Sequence, residues 1–405
     1  MNGHVLVIFC GMVILTGLIM PGVSAVDPRW TWAATTSGEI SGVIISADGS
    51  TVVAGGDQLI ALSRDGRKLW SGWSGTHLAI SRNGNYILTS RDQTVRLISG
   101  TGTMLWDTSL GVPVTDLSMT PDAALIAASG GDRIRVINGT GTGFRQNTSV
   151  IVRHMRLFPD GDRLVITTPA GIQTSNLTLL SEWTDTNVTQ DLVEIAADGS
   201  SFVTVTNNRV RFYTRNGDLL WDRALPGGNA LDFAYSRDGS TIVVGRDDNT
   251  VSALDRNGTL LWTNHASYWV TSVAVSDDGN TIAAGSFDKS LSVYDRAGRK
   301  LGSSTASNPI KSHSVAVSAD GSLIVAVDGS VVNGFSRSQF ILPVTSETKP
   351  EKTTGAVTTP APSLPLETTS PMTVSPPATT PRAALIPALP FGAILLLLVF
   401  REWKS

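Results

Sequence analysis

From Trp30 to Phe335 the chain alternates short apolar runs with polar turns, and the alternation itself repeats. The stretch Ala234 to Trp262, AYSRDGSTIVVGRDDNTVSALDRNGTLLW, shows the unit. It holds a short strand, an Asp-Gly turn, a second strand, an Asp-rich turn, a third strand, an Asn-Gly turn and a strand carrying Trp. Period-two alternation between turn residues predicts strands with one face buried. The first turn recurs at Asp48-Gly49, Asn83-Gly84, Asp122-Ala123, Asp160-Gly161, Asp198-Gly199, Asp238-Gly239, Asp278-Gly279 and Asp320-Gly321. Asp-Gly and Asn-Gly suit tight hairpins because glycine accepts a positive φ without steric cost. A second polar turn, at Asp57, Asp92, Asp132, Asp248, Asp288 or Asp328, precedes the third strand. The fourth strand carries an aromatic residue: Trp70, Trp106, Phe144, Trp183, Trp221 and Trp262.

Four short strands in a period of about 40 residues predict an all-β fold, a β-propeller with one four-stranded blade per copy. Eight copies of the first three strands are visible, and the last ends at Phe335-Ser336-Arg337 without a fourth. Conversely, Arg29-Trp30-Thr31-Trp32-Ala33 precedes the first copy as an orphan fourth strand. Pairing the two would close the ring and remove its open sheet edges. The expectation is eight blades closed by the N-terminal strand, with Trp32 joining the aromatic series. Seven blades stay open as an alternative, because the fourth and eighth copies are degenerate.

The passages Leu59-Ile60-Ala61-Leu62…Asp65-Gly66…Leu69-Trp70 and Val251…Asn257-Gly258…Leu261-Trp262 resemble the Trp-docking repeats of PQQ-type quinoprotein propellers. The passage Ser276-Asp277-Asp278-Gly279…Gly285-Ser286-Phe287-Asp288…Val293-Tyr294-Asp295 resembles a WD-repeat blade. The quinoprotein resemblance implies a ring of tryptophans packed between neighbouring blades. Gly302 stands at the aromatic position of the seventh copy, where a packing gap is expected.

The two ends differ from this middle. Val5 to Ile19 is apolar, Pro21-Gly22 breaks the run, and Val23-Ser24-Ala25 offers a cleavage site. Residues 1–25 therefore read as a secretory signal peptide. The propeller is placed at 26–342. Residues 343–382 are rich in Thr, Ser and Pro and cannot bury a core. They read as an extended stalk reaching on the order of 100 Å. Residues 383–400 are apolar and read as a transmembrane helix, with Arg401 and Lys404 favouring a cytoplasmic tail at 401–405. Stalk, helix and basic tail resemble the C-terminal sorting signals of prokaryotic, especially archaeal, surface proteins. Those carry Pro-Gly-Phe where this chain has Pro390-Phe391-Gly392, so a retained single-pass anchor is expected, with the propeller on the extracellular side.

Composition narrows the function. A net charge of −3 and a pI near 6.0 give no basic footprint for nucleic acid. The only cysteine, Cys10, lies in the signal segment, so a mature chain has neither disulfide nor thiolate metal site. Asn-x-Ser/Thr sequons at Asn138, Asn147, Asn176, Asn187 and Asn257 are glycosylation candidates in an exported chain.

Strand geometry locates the remaining candidates. If the Asp-Gly turns mark the bottom face, the residue seven before each turn glycine opens the innermost strand near the top of the channel. Those positions hold Gly42, His77, Asp116, His154, Leu192, Asp232, Ser272 and Ser314. Asp116 and Asp232 are candidate ligand contacts there, and His77, Asp116 and His154 are the candidate metal ligands. The turn aspartates should face the same side and give an acidic mouth, although Asp in such a turn commonly accepts backbone N–H bonds. Arg156 and Glu194 are expected to pair. Trp73, Tyr268 and Trp269 fall off the ring pattern in top-face connections, where aromatic rings would grip a sugar or a peptide. No nucleophile, cofactor loop or catalytic dyad emerges, and no cofactor is expected. The function expected is a cell-surface, non-enzymatic module binding protein or glycan. The alternatives are a PQQ- or metal-dependent oxidoreductase using the channel mouth, and a structural envelope component.

Overall fold

A computed structural model describes residues 30–148, 151–179, 181–186 and 192–340, without the side chains of residues 144–147 and 340. The chain divides into two units, 1–344 and 345–405, and every described residue belongs to the first. The segments read as signal peptide, stalk and transmembrane helix lie outside the described residues. Among the described residues no helix is long and apolar enough to cross a membrane.

The fold is a β-propeller of eight four-stranded antiparallel sheets. Blades 1 to 7 span residues 40–72, 77–109, 116–147, 154–185, 192–224, 230–265 and 270–305, each with its strands in sequence order. Blade 8 combines Val315–Val317, Leu323–Asp328 and Val331–Ser336 with the N-terminal strand Trp32–Thr35. Trp32 faces Gly334 and Thr35 faces Val331, so the last blade is completed by the first strand.

The hairpin turns at the bottom face share a backbone N–H bond to the turn Asp or Asn, joined by a Ser or Thr hydroxyl except in blades 4 and 5, where Phe158 and Ala196 stand. In blade 1, Ser46 Oγ donates to Asp48 Oδ1 (2.7 Å), the Ser50 N–H donates to the same oxygen (2.9 Å), and Gly49 takes φ +69°. These turns then link from blade to blade. The Ala47 N–H donates to Arg82 O, Arg82 to Pro121 O, Ala197 to Arg237 O, Asp277 to Ala319 O and Ala319 to Ala47 O. The series lapses where Pro121 and Pro159 have no N–H to give. Arg82 also reaches across the bottom opening to Asp277, 2.9 Å away.

The apolar core is divided among the blade interfaces. Val53, Leu59, Ile87 and Ile98 join blades 1 and 2, Leu88, Leu97, Leu117 and Ile126 join blades 2 and 3, and so on around the ring. Packed against these clusters, with Trp32 a member of one, runs the aromatic series. Five indole N–H groups donate to a carbonyl in the next blade: Trp32 to Arg64 O (2.8 Å), Trp70 to Gly100 O (2.8 Å), Trp106 to Gly139 O (3.1 Å), Trp221 to Arg256 O (2.9 Å) and Trp262 to Arg296 O (2.9 Å). The rings lie on positive-φ glycines; a Cβ on Gly298 would fall 2.5 Å from the Trp262 ring. Trp183 lies on Gly217 in the same way. The Phe144 side chain is outside the described set, but in the blade that follows it the glycine is replaced by Leu179, at φ +58°.

The interface beside Gly302 is filled by a residue from the other end of the chain. Trp30, 8 % exposed, packs on Phe335 with ring centroids 5.0 Å apart. Both belong to the cluster that contains Val293, the strand partner of Gly302. Trp30 thus supplies the apolar bulk between blades 7 and 8 where a gap was expected.

Candidate functional site

The innermost strands enclose a cavity of about 350 Å³ at the top of the channel. Gly42, His77, Asp116, His154, Leu192, Asp232 and Ser272 line it, from one ring position on successive blades. In blade 8 the lining residue is His313 rather than Ser314. His313 takes φ +58°, a left-handed conformation that turns the chain at this rim.

Several of these side chains bind the next blade. Asp116 Oδ2 accepts the Met155 N–H (2.7 Å) and Oδ1 the Leu117 N–H (2.8 Å). Asp232 repeats the arrangement, accepting from Val273 (2.9 Å) and Phe233 (2.9 Å). Ser272 does so with a hydroxyl, accepting the Val315 N–H (3.2 Å). A strand in the channel wall has no ladder partner on that side, and these side chains satisfy N–H groups that burial would otherwise leave unpaired.

The two aspartates differ in charge environment. Arg156 lies 3.1 Å from Asp116 Oδ2 and 2.9 Å from Glu194 Oε1, so the expected Arg156–Glu194 pair is part of a three-membered network. Burial pushes the Asp116 carboxyl up, but Arg156, His154 and the Met155 N–H outweigh it and hold it below the usual range. Between its two carboxylates, Arg156 is held more basic than an ordinary arginine despite its burial. Among the described residues Asp232 has no such guanidinium partner. Burial pushes its carboxyl up to about 6, with His313 and the Val273 and Phe233 N–H groups opposing and the charge of Glu194 adding to the rise.

The expected metal triad is not assembled. Among the described residues no group of three or more His, Cys, Asp or Glu is placed to hold a metal ion. Asp116 is occupied by Arg156 and two N–H groups, and His77 Nδ1 pairs with Ser90 Oγ at 3.0 Å. Burial also lowers the His77 pKa, with Asp116 opposing and His313 and His154 adding to the fall. The top-turn aspartates are tied to backbone as well. Asp248 accepts from Gly228, Asp288 from Ser267, and Asp328 from Ser307 and Asn308.

Beside the cavity, Tyr268, Trp269 and Phe287 form an exposed aromatic patch on the top of blade 7, with centroids 5.1, 5.8 and 6.3 Å apart. They are 45 %, 43 % and 44 % exposed. The Phe287 N–H donates to Trp269 O (2.9 Å), and Ser286 Oγ donates to Tyr268 O (3.0 Å), so the loop and the turn are joined. Phe287 was missed in the sequence because it sits within the Asp-rich turn; an aromatic residue in a polar turn was the available signal. Trp73 does not join this patch. Its indole N–H donates to Gly102 O (3.1 Å), and Trp70 lies on that same glycine. Arg223 and Asn264 make the same bond to Gly258 O and Gly298 O at other blade junctions, so Trp73 is an inter-blade clamp.

Of the sequon asparagines, Asn138, Asn176 and Asn257 lie in or beside the bottom turns between third and fourth strands. Asn138 Oδ1 accepts from the Thr140 hydroxyl (2.7 Å), and Asn176 Oδ1 from that of Thr178 (2.8 Å). Asn187 and the side chain of Asn147 lie outside the described set.

Comparison with known proteins agrees with this architecture. The family model "WD domain, G-beta repeat" matches residues 258–295. The C-terminal WD40 domain of Sif2 matches with a TM-score of 0.66 at 14% identity, over 76% of this chain and 97% of that one. Sqt1 from Chaetomium thermophilum, bound to the N-terminus of the ribosomal protein L10, matches at 0.61 and 14% identity, over 74% and 97%. The computationally designed Ika8 protein matches at 0.62 and 16%, over 75% and 97%. Curated protein sequences return no match. The chain is an eight-bladed β-propeller in which residues 258–295 are similar to a WD repeat.

Proposed function

We propose that this propeller is a non-enzymatic protein-binding module, displayed outside the cell on its Thr/Ser/Pro-rich stalk and held by the C-terminal apolar segment. The observation that carries the binding reading is the exposed patch of Tyr268, Trp269 and Phe287. Aromatic residues dominate binding hot spots because they bury large area at low conformational cost. Backbone hydrogen bonds hold this loop and turn together, so little ordering cost accompanies binding. Sqt1, similar in fold, was solved bound to a protein terminus. The display reading rests on the order of segments along the chain: signal, propeller, stalk, apolar run and basic tail.

The test is capture of envelope proteins by the full chain and by a Trp269→Ala/Phe287→Ala variant, after checking that both fold alike. Loss of the same bands in the variant supports the reading. Identical capture by both proteins removes the patch from the binding surface, and retention of those bands only before enzymatic deglycosylation of the partners assigns the patch to glycan. Retention of PQQ with Ca²⁺ together with dye reduction would replace the binding module by the quinone-dependent enzyme. For display, deletion of 383–400 should release the protein from the membrane fraction.

A further inference from the structure

The channel cavity carries an internal comparison between two blades. Asp116 and Asp232 occupy the same ring position and make the same pair of backbone hydrogen bonds, one within their strand and one to the following blade. After Asp116 the next blade reads Met155-Arg156, and the guanidinium covers the carboxylate. After Asp232 the next blade reads Val273-Ala274, and the register that supplied arginine supplies a methyl group.

The charges in the cavity follow from this. Asp116, Glu194 and Asp232 line it, against one guanidinium, Arg156, which already bridges Asp116 and Glu194. The other titratable side chains facing it are His77, His154 and His313. His77 is bonded through Nδ1 to Ser90, and His154 Nδ1 lies 3.5 Å from Asp116. Among the described residues no guanidinium or ammonium lies beside Asp232, whose carboxylate stands at the wall of an open cavity with the imidazole of His313 as its cationic neighbour. Burial raises the pKa of Asp232, and the charge of the His313 imidazole opposes that rise only in part.

We infer that the cavity takes a guanidinium or ammonium group of a ligand, seated against Asp232 and Glu194 where the chain itself omits an arginine. A cavity of about 350 Å³ admits a basic side chain or a small diamine. The group would make charge-assisted hydrogen bonds in a partly desolvated site, where such bonds are strongest. The inference concerns the cavity alone and stands whether or not the aromatic patch binds protein.

The experiment measures binding of N-acetylarginine methylamide to the purified full chain by calorimetry at pH 7.5, with the uncharged citrulline analogue as control. The arginine compound should bind and the citrulline compound should not. Two variants complete the test. Asp232→Ser replaces the carboxylate by the hydroxyl that Ser272 already uses at the same position in blade 7, so the inter-blade bond has a native precedent. Ala274→Arg restores the missing guanidinium. Each should weaken binding by about ten- to a hundredfold. Equal binding of the citrulline analogue, undiminished affinity in Asp232→Ser, or no binding of the arginine compound overturns the inference. The source of the group is read from the same arginine placed in an aromatic-containing hexapeptide. Tighter binding that falls back in Trp269→Ala assigns it to a protein chain, and equal affinity to a small free cation.

Discussion

Arg82 in blade 2 and Asp277 in blade 7 meet at 2.9 Å across the bottom of the channel, three blades apart around the ring. With Arg237 they line a pocket of about 200 Å³ there. Both members of the pair are over or near one-third exposed, which limits the worth of the contact to about 1 kcal/mol or less. Its role is to narrow the opening, while the backbone bonds between hairpin turns hold the blades. A double-mutant cycle with Arg82→Ala and Asp277→Ala should return a coupling under about 1 kcal/mol that vanishes in high salt. A coupling of several kcal/mol would mean that the pair holds the ring together.

The indole of Trp262 donates to Arg296 O, lies on Gly298 and packs 5.5 Å from Tyr294. Trp262→Ala should destabilise by about 3 kcal/mol, and Trp262→Phe, which loses chiefly the hydrogen bond, by about 1 kcal/mol. Chemical denaturation measures both. Equal costs would show that the ring, rather than its N–H, contributes nothing to the junction.

Closure makes a separate prediction. Trp30 fills the interface left small by Gly302, so Trp30→Ala should cost about 3 kcal/mol although it lies before the first strand. Deleting 30–35 should cost more, because it also bares the edge of the strand Val331–Ser336. Thermal melts of the two variants rank them, and an unchanged midpoint for the deletion would refute closure by the N-terminal strand.

At Asp122-Ala123 the hairpin keeps its hydrogen bonds, yet Ala123 takes φ +61°, the place glycine fills in the other described copies of the turn. Left-handed alanine costs roughly 1 kcal/mol, so Ala123→Gly should stabilise the protein by about that amount. A loss of stability would show that burial of the Ala123 methyl outweighs the backbone strain.

The cavity carboxyls give stability terms of opposite sign. The Asp116 pKa is lowered, so its contribution is present above the unfolded value of about 3.9 and is lost as pH falls through the lower folded value. The Asp232 pKa is raised to about 6, so its contribution is present below about 4 and is lost as pH rises through 6. The lowered His77 pKa adds stability above about 6.5 that is lost on acidification. Asp232→Ser removes only the second of these. Its melting temperature should therefore rise relative to wild type between pH 4.5 and 7, and a constant difference over that range would show that Asp232 titrates normally.

Much of this molecule is written locally. Each Ser-x-Asp-Gly turn carries its own hydrogen-bond set within a few residues, and alternation decides which strand face is buried. Periodicity therefore yields the blades, the missing fourth strand of blade 8 and its replacement from the N-terminal side, read at 29–33 and found at Trp32–Thr35. The same periodicity places His77, Asp116, His154 and Asp232 at one level of the channel, because identical registers put equivalent residues at equivalent heights. What those residues do there was decided by neighbours on other blades. Asp116 and Asp232 are the same letter at the same position, and only the approach of Arg156 or Ala274 from the next strand separates a carboxylate paired with a guanidinium from a buried one without it. Likewise Trp73 turned to a carbonyl of blade 2, Phe287 joined Tyr268 and Trp269, and Trp30 filled the space beside Gly302. Each depends on packing between segments remote in sequence, and a repeat read along the chain specifies the blade but leaves to the closed ring which side chains its neighbours will meet.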